Sequence, residues 1–215
     1  MGIYRALLLE FGHRNWWPGE TPFEVMVGAV LTQNTAWTNV EKAIANLKSE
    51  GLLCPERLLR AGKERVARLV RPSGYYNVKA ERLMALVEWF RDRAGGKAET
   101  LRETPTDALR GELLALKGVG PETADSILLY ALERPVFVVD AYTRRAFSRH
   151  GAFSPNASYD EVQAFFEERL PRGVGLYNEY HALIVELGKT CCRPRPRCDA
   201  CPVMRFGEPP VQTHP

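Results

Sequence analysis

The sequence predicts an all-α protein, and three observations carry that expectation. Apolar residues recur at helical spacing along nearly the whole chain. The helical stretches open and close on start and stop residues, among them Thr21-Pro22 and Gly95-Gly96. The single run with strand character, Pro135 to Asp140 (PVFVVD), has no second strand to pair with and reads as a buried extended link.

In chain order, the first helix expected spans 21–33 (TPFEVMVGAVLTQ). Thr21 is its N-cap candidate, Pro22 its first residue and Glu24 its early acid. Phe23, Val25, Met26, Val27, Ala29, Val30 and Leu31 surround most of this helix, so it should be buried. An amphipathic helix follows over 39–51, ending at Gly51. The next, over 77–96, turns Ala80, Leu83, Met84, Leu86, Val87 and Phe90 to one broad face and stops at Gly95-Gly96. Two helices, 104–116 and 121–132, flank a Gly-x-Gly turn. Three more are expected over 140–151, 158–170 and 176–189, and the Pro-rich tail after Cys201 reads as loose.

Composition sets the outer bounds. The 215 residues suffice for one large domain or two small ones, and 45% hydrophobic with 26% charged residues is ordinary for a soluble protein. A formal charge of +3 permits a nucleic-acid partner without demanding one. The N-terminal apolar run is broken by Glu10, and no stretch reaches the roughly 20 apolar residues of a membrane span. The expectation is an intracellular protein without membrane contact. In a reducing compartment five cysteines are poor candidates for disulfides. Cys191, Cys192, Cys198 and Cys201 cluster near the C-terminus while Cys54 stands alone, which points to a metal site.

The turn 116–121 (LKGVGP) is the first functional signal. Lys117, Gly118, Val119 and Gly120 precede a helix whose first residue is Pro121. A helix N-terminus presents unpaired N–H groups and the positive end of the peptide dipoles, and glycines leave the backbone bare to an incoming oxygen. The turn is therefore read either as a phosphate seat or as a tight turn between two helices. Asp140, at the end of the apolar link, is likewise either an N-cap or a functional carboxylate.

Together, LKGVGPETADSILLYA and VVDAYTRR resemble the helix–hairpin–helix DNA glycosylase superfamily of endonuclease III type. VLTQNTAWTNVEKAIANL, RPSGYYNVKAERL and the cysteine cluster appear in that family's order, so the resemblance spans nearly the whole chain. It implies two helical domains with a DNA-binding cleft between them. One would be a helical barrel over 21–133 carrying the hairpin; the other would join 1–20 to 134–215 and carry a cluster loop at 191–201. It also implies a base-excision-repair enzyme acting on double-stranded DNA with damaged bases, with Asp140 catalytic and Gln33 and Tyr75 at the DNA-intercalating positions.

Strand-cleaving members of that family hold a lysine two residues after the second glycine. Glu122 stands there in this chain and cannot form a Schiff base. A monomeric, monofunctional glycosylase, cytoplasmic and close to the nucleoid, is expected, in which Asp140 stabilises oxocarbenium-like charge and orients or deprotonates the attacking water. WWP at Trp16, Trp17 and Pro18, with Trp37 after LTQNT, resembles the 3-methyladenine glycosylase subgroup. That likeness implies an aromatic slot for alkylated purines such as 3-methyladenine and 7-methylguanine, whose positive charge an electron-rich ring attracts. The competing readings are a glycosylase/lyase acting on oxidised pyrimidines and a DNA-binding module without chemistry.

For the cysteines, the family's [4Fe–4S] spacing C-x6-C-x2-C-x5-C is met at Cys191, Cys198 and Cys201, but Gly207 takes the fourth place. Cys192 is the nearby replacement. The same four thiols would also make a tetrahedral zinc site. Either centre is expected to be structural, without a path to Asp140.

Overall fold

The computed structural model describes residues 1–16 and 19–206. The chain divides into two compact units, Met1–Trp16 with Pro135–Pro215, and Trp17–Arg134. Ten α-helices and no strands occur among the described residues. Helix α1 is Gly2–Phe11. Helices α2 (Pro22–Leu31), α3 (Trp37–Ser49), α4 (Pro55–Leu69), α5 (Tyr76–Ala94), α6 (Thr106–Leu114) and α7 (Pro121–Ser126) build the Trp17–Arg134 unit. Helices α8 (Ala141–Arg149), α9 (Tyr159–Glu167) and α10 (Val174–Thr190) complete the other. No helix among the described residues is long and apolar enough to cross a membrane.

In the Trp17–Arg134 unit, α2 is the central element. Every residue from Phe23 to Leu31 is buried, as an apolar stripe running round the whole helix requires. The Thr21 side chain accepts from the Glu24 N–H and so caps it. Its C-terminus is closed from outside by Lys79 of α5. This side chain is 2% exposed, and its Nζ donates to the Leu31 carbonyl at 2.8 Å and to the Ser73 carbonyl at 2.6 Å. Burial, then the charge of Arg82, push the Lys79 ammonium down to about 8.

Replacing Lys79 with Met keeps the volume and orphans both carbonyls. We expect a loss of about 2 to 4 kcal/mol in urea unfolding, since each buried acceptor left unpaired costs about 1 to 3 kcal/mol. The pH dependence has a definite sign. The unfolded lysine titrates near 10.5 and the folded one near 8, so between those values the unfolded chain binds more protons. The Lys79 contribution to stability therefore rises with pH across that window. Lys79→Met should flatten that rise, as unfolding curves at a series of pH values would record.

Helix α4 is interrupted at Gly62, whose φ of 76° and ψ of 159° depart from the helical region. Two short helical pieces thus meet at one glycine, and α4 packs against α5. After α7 the backbone passes directly into a π-helical turn, Ile127–Ala131, in which all five residues are buried.

The other unit holds the extended link that the sequence predicts at 135–140. Val136, Phe137, Val138 and Val139 are buried there. A buried strand without a sheet must satisfy its polar backbone otherwise, and α9 does so with side chains. Glu167 accepts from the Phe137 N–H at 2.8 Å, Gln163 donates to the Phe137 carbonyl at 2.8 Å, and the Tyr159 hydroxyl accepts from the Val139 N–H at 3.2 Å. Phe137 stacks on Phe166 with ring centroids 4.2 Å apart. Helix α9 itself opens on a reciprocal cap between Ser158 and Glu161.

Candidate functional site

The hairpin is built from α6, the turn 115–120 and α7. A bidentate pair joins its two helices, Arg110 Nε to Asp125 Oδ1 at 2.8 Å and Nη2 to Oδ2 at 3.2 Å, with Asp125 fully buried. Gly118 has φ 83°, and a Cβ there would run into the Arg82 side chain. Gly120 is different. Its φ is −94° and ψ 177°, which any residue adopts, and a Cβ would meet no heavy atom within 4 Å. Only Gly118 serves a backbone shape closed to other residues. What Gly120 supplies is a bare backbone at the N-cap of α7.

Gln33 lies just past the C-terminus of α2 and is fixed from three directions. Its Nε2 donates to the Gly118 carbonyl at 3.1 Å and to Thr123 Oγ1 at 2.9 Å, and its Oε1 accepts from Arg82 Nη1. The side chain that the resemblance places at a DNA-intercalating position also braces the hairpin turn. No sequence signal at Gln33 announces this, because its partners lie 49 to 90 residues away. Tyr75 is 73% exposed and sits at the N-cap of α5 with φ 44°. A bulky exposed aromatic held in the left-handed region is costly without a purpose. Lys117 is exposed and pairs with Glu81 at 2.9 Å. Val119 is buried under the turn. Glu122 is exposed in the first turn of α7, where an acid is favoured by the peptide dipoles. Trp37 opens α3 half-buried, its ring 3.4 Å from where a Gly28 Cβ would stand.

In the other unit, Asp140 caps α8: its Oδ1 accepts from the Thr143 N–H at 2.7 Å. The cap and the functional candidate are therefore the same carboxylate. Its other oxygen, Oδ2, faces His181 Nε2 of α10 at 3.5 Å. Burial alone would raise the Asp140 carboxyl, but the His181 imidazole and the Thr143 N–H outweigh it and hold the group below the usual carboxylate value. His181 is 4% exposed. Trp16 stacks on it, with ring centroids 5.5 Å apart and planes 13° from parallel. Trp16 and Asp140 are thereby brought together through a histidine that the sequence reading passed over. The signal was one polar ring inside the apolar run YHALIV. Trp17 and Pro18, the other two residues of the expected aromatic slot, lie outside the described residues.

The cysteine loop follows α10. Cys191 and Cys192 are buried; Cys198 and Cys201 are half-buried. Burial, together with Cys191, Cys192 and Cys198, pushes the Cys201 thiol up. Among the described residues no three His, Cys, Asp or Glu side chains are gathered closely enough to hold a metal ion. The donor chemistry of four neighbouring thiols fits a four-thiolate centre, although the side chains do not stand at ligating separation. Two arginines of α8 hold the loop. Arg145 donates to the Cys192 and Gly188 carbonyls at 2.8 and 3.2 Å, and Arg149 to the Arg193 and Pro194 carbonyls at 2.6 and 2.8 Å. Asp140 caps this same helix, so α8 runs from the aspartate to the arginines that grip the loop.

Comparison with known proteins agrees with these features. The family model described as HhH-GPD superfamily base excision DNA repair protein matches residues 27–172. A Methanocaldococcus jannaschii protein, provisionally named a DNA repair glycosylase, is 51% identical over 95% of this chain and 93% of its own length. Endonuclease III of Thermotoga maritima is 32% identical over 84% of this chain and 79% of its own. Among solved structures, the Helicobacter pylori 3-methyladenine DNA glycosylase MagIII bound to 1,N6-ethenoadenine matches with a TM-score of 0.75 and 34% identity, covering 87% of this chain and 95% of that one. A DNA-bound endonuclease III matches in fold with a TM-score of 0.80 at 23% identity, over 95% of this chain and 92% of that one.

Proposed function

The chain belongs to the HhH-GPD superfamily of base excision DNA repair glycosylases, and we propose that it is a monofunctional member that releases alkylated purines from double-stranded DNA. The observation that carries the reading is Asp140, a half-buried carboxylate held below the usual carboxylate range at the head of α8. Breaking an N-glycosidic bond sends the bonding pair to the departing base and leaves positive charge on the sugar. A fixed anion stabilises that charge as it develops. Water then adds to the sugar carbon and loses its proton to solvent. A cationic methylated purine departs as a neutral base, so the chain needs no strong acid beside Asp140.

Three further observations support the finer parts. Glu122 at the start of α7 offers no amine for a Schiff base. Trp16 beside Asp140 supplies an aromatic wall, and the similarity to a 3-methyladenine glycosylase points to the same substrate class. The bare backbone at Gly120 suits a DNA phosphate, and exposed Tyr75 suits insertion between bases. Cys191, Cys192, Cys198 and Cys201 are proposed to hold a [4Fe–4S] cluster, which would rigidify the loop that α8 grips.

A release assay across methylated purines, 1,N6-ethenoadenine, uracil, hypoxanthine and oxidised pyrimidines tests the substrate class. Methylated purines should lead, and a preference for oxidised pyrimidines would overturn the proposal. Borohydride reduction on an abasic duplex should trap no covalent adduct; an adduct would make the chain a lyase. Iron and inorganic sulfide in equal amounts, with little zinc, are expected in protein purified without oxygen. Zinc without sulfide would replace the cluster by a zinc site.

A further inference from the structure

The polar partner of Asp140 is as informative as Asp140 itself. His181 lies on a helix whose neighbouring residues Ala182, Leu183 and Ile184 are buried and apolar. A polar ring in such a place is retained only when its nitrogens are used. Nε2 is aimed at Asp140 Oδ2, and the nearly parallel indole of Trp16 fixes the plane in which the imidazole can lie. The two carboxylate oxygens thus face separate groups: Oδ1 accepts from the Thr143 N–H, and Oδ2 lies 3.5 Å from the imidazole Nε2.

We propose that His181 is a positioning residue for Asp140, presenting a proton on Nε2 to Oδ2, and that Trp16 locks the imidazole in that orientation. This rests on the reading of Asp140 as the catalytic anion. A carboxylate held on both oxygens keeps its charge and its direction, and is a poor proton acceptor. The arrangement therefore makes Asp140 a stabiliser of positive charge rather than a general base. Trp16 acquires a role at the site that does not require it to touch the damaged base. The groups facing the Asp140 carboxylate are the His181 ring from α10 and Thr143 of α8, by both its backbone N–H and its side-chain hydroxyl.

The test compares His181→Gln, His181→Asn and His181→Phe with Asp140→Asn in the full-length protein, on a duplex containing 7-methylguanine. A Gln side chain can carry an N–H near the place of Nε2; the shorter Asn cannot. Phe keeps a flat ring for Trp16 and has no N–H. Single-turnover release should fall about tenfold or more in the Phe and Asn variants, the loss of one charge-assisted hydrogen bond, with DNA affinity unchanged. The acidic limb of their pH–rate profile should move to higher pH, because Asp140 loses a group that favours its ionised form. His181→Gln should recover most of the rate and the original limb. If Phe does not fold, the Gln and Asn pair decides alone. Equal rates in Gln and Asn, with Asp140→Asn inactive, would overturn the role of His181 and leave Asp140 standing. Undiminished release in Asp140→Asn would overturn the catalytic reading itself.

Discussion

Replacing Asp140 with Asn should reduce single-turnover base release by about three orders of magnitude, within the range of losing a positioned charge or acid–base group. The substitution is informative because it separates two duties of one side chain. Asn is as good an N-cap as Asp, and its carbonyl can still accept from the Thr143 N–H that Asp140 holds at 2.7 Å. Helix α8 should therefore persist, and with it the grip of Arg145 and Arg149 on the cysteine loop. Only the negative charge is lost. Circular dichroism and DNA affinity should match the parent while release collapses.

The same variant carries a pH signature. The folded Asp140 carboxyl titrates below the usual aspartate value of 3.8, so its ionised form contributes stability above that value, and this is lost as pH falls through the folded one. Asp140→Asn should be less steeply destabilised by acid than the parent, which urea unfolding at a descending series of pH values would measure. If release in Asp140→Asn equalled that of the parent, the carboxylate would be a cap and nothing more.

How much of this was legible in the sequence depended on how far apart the cooperating residues lie. Caps are local, so Thr21 for α2 could be read directly, and the all-α class followed from periodicity. Helix α1 offers no side-chain cap, and Gly62 breaks the apolar rhythm of α4; neither helix was anticipated. The segment 135–140 reads as a buried extended link, and it runs extended with Val136 to Val139 buried. Its hydrogen bonds go to Tyr159, Gln163 and Glu167 on α9, which no local pattern reveals.

The site divides in the same way. Asp140 and the two glycines lie in short motifs that can be recognised as words. His181 is 41 residues from Asp140 along the chain and hides among apolar neighbours on α10, so only folding exposes its purpose. Gln33 could be placed in a motif but not understood, since what it does is hold Gly118, Thr123 and Arg82. The spacing of the cysteines raises the expectation of a metal site, while their mechanical link to α8 runs through backbone carbonyls that leave no mark in sequence.

The two glycines of the hairpin should respond to alanine in opposite ways. Gly118→Ala forces a side chain into the left-handed region, costing about 1 to 2 kcal/mol, and drives its Cβ into Arg82. Arg82 is also a partner of Gln33, so the displacement unpicks the brace on the turn. Gly118→Ala should therefore lower the melting temperature and weaken DNA binding together. Gly120→Ala meets neither obstacle, since its φ is −94° and nothing lies within 4 Å of the added carbon. Its melting temperature should equal the parent's or exceed it slightly, because alanine restricts the unfolded chain. Yet the methyl group would stand on the bare backbone at the head of α7, where a phosphate oxygen must approach the N–H groups. Affinity for duplex DNA should fall about tenfold, equivalent to roughly 1.4 kcal/mol, at each salt concentration tested. Fluorescence anisotropy beside thermal unfolding resolves the two cases. Parent-like binding by Gly120→Ala would mean that no phosphate sits there and that the hairpin's only demanding glycine is the one that makes it turn.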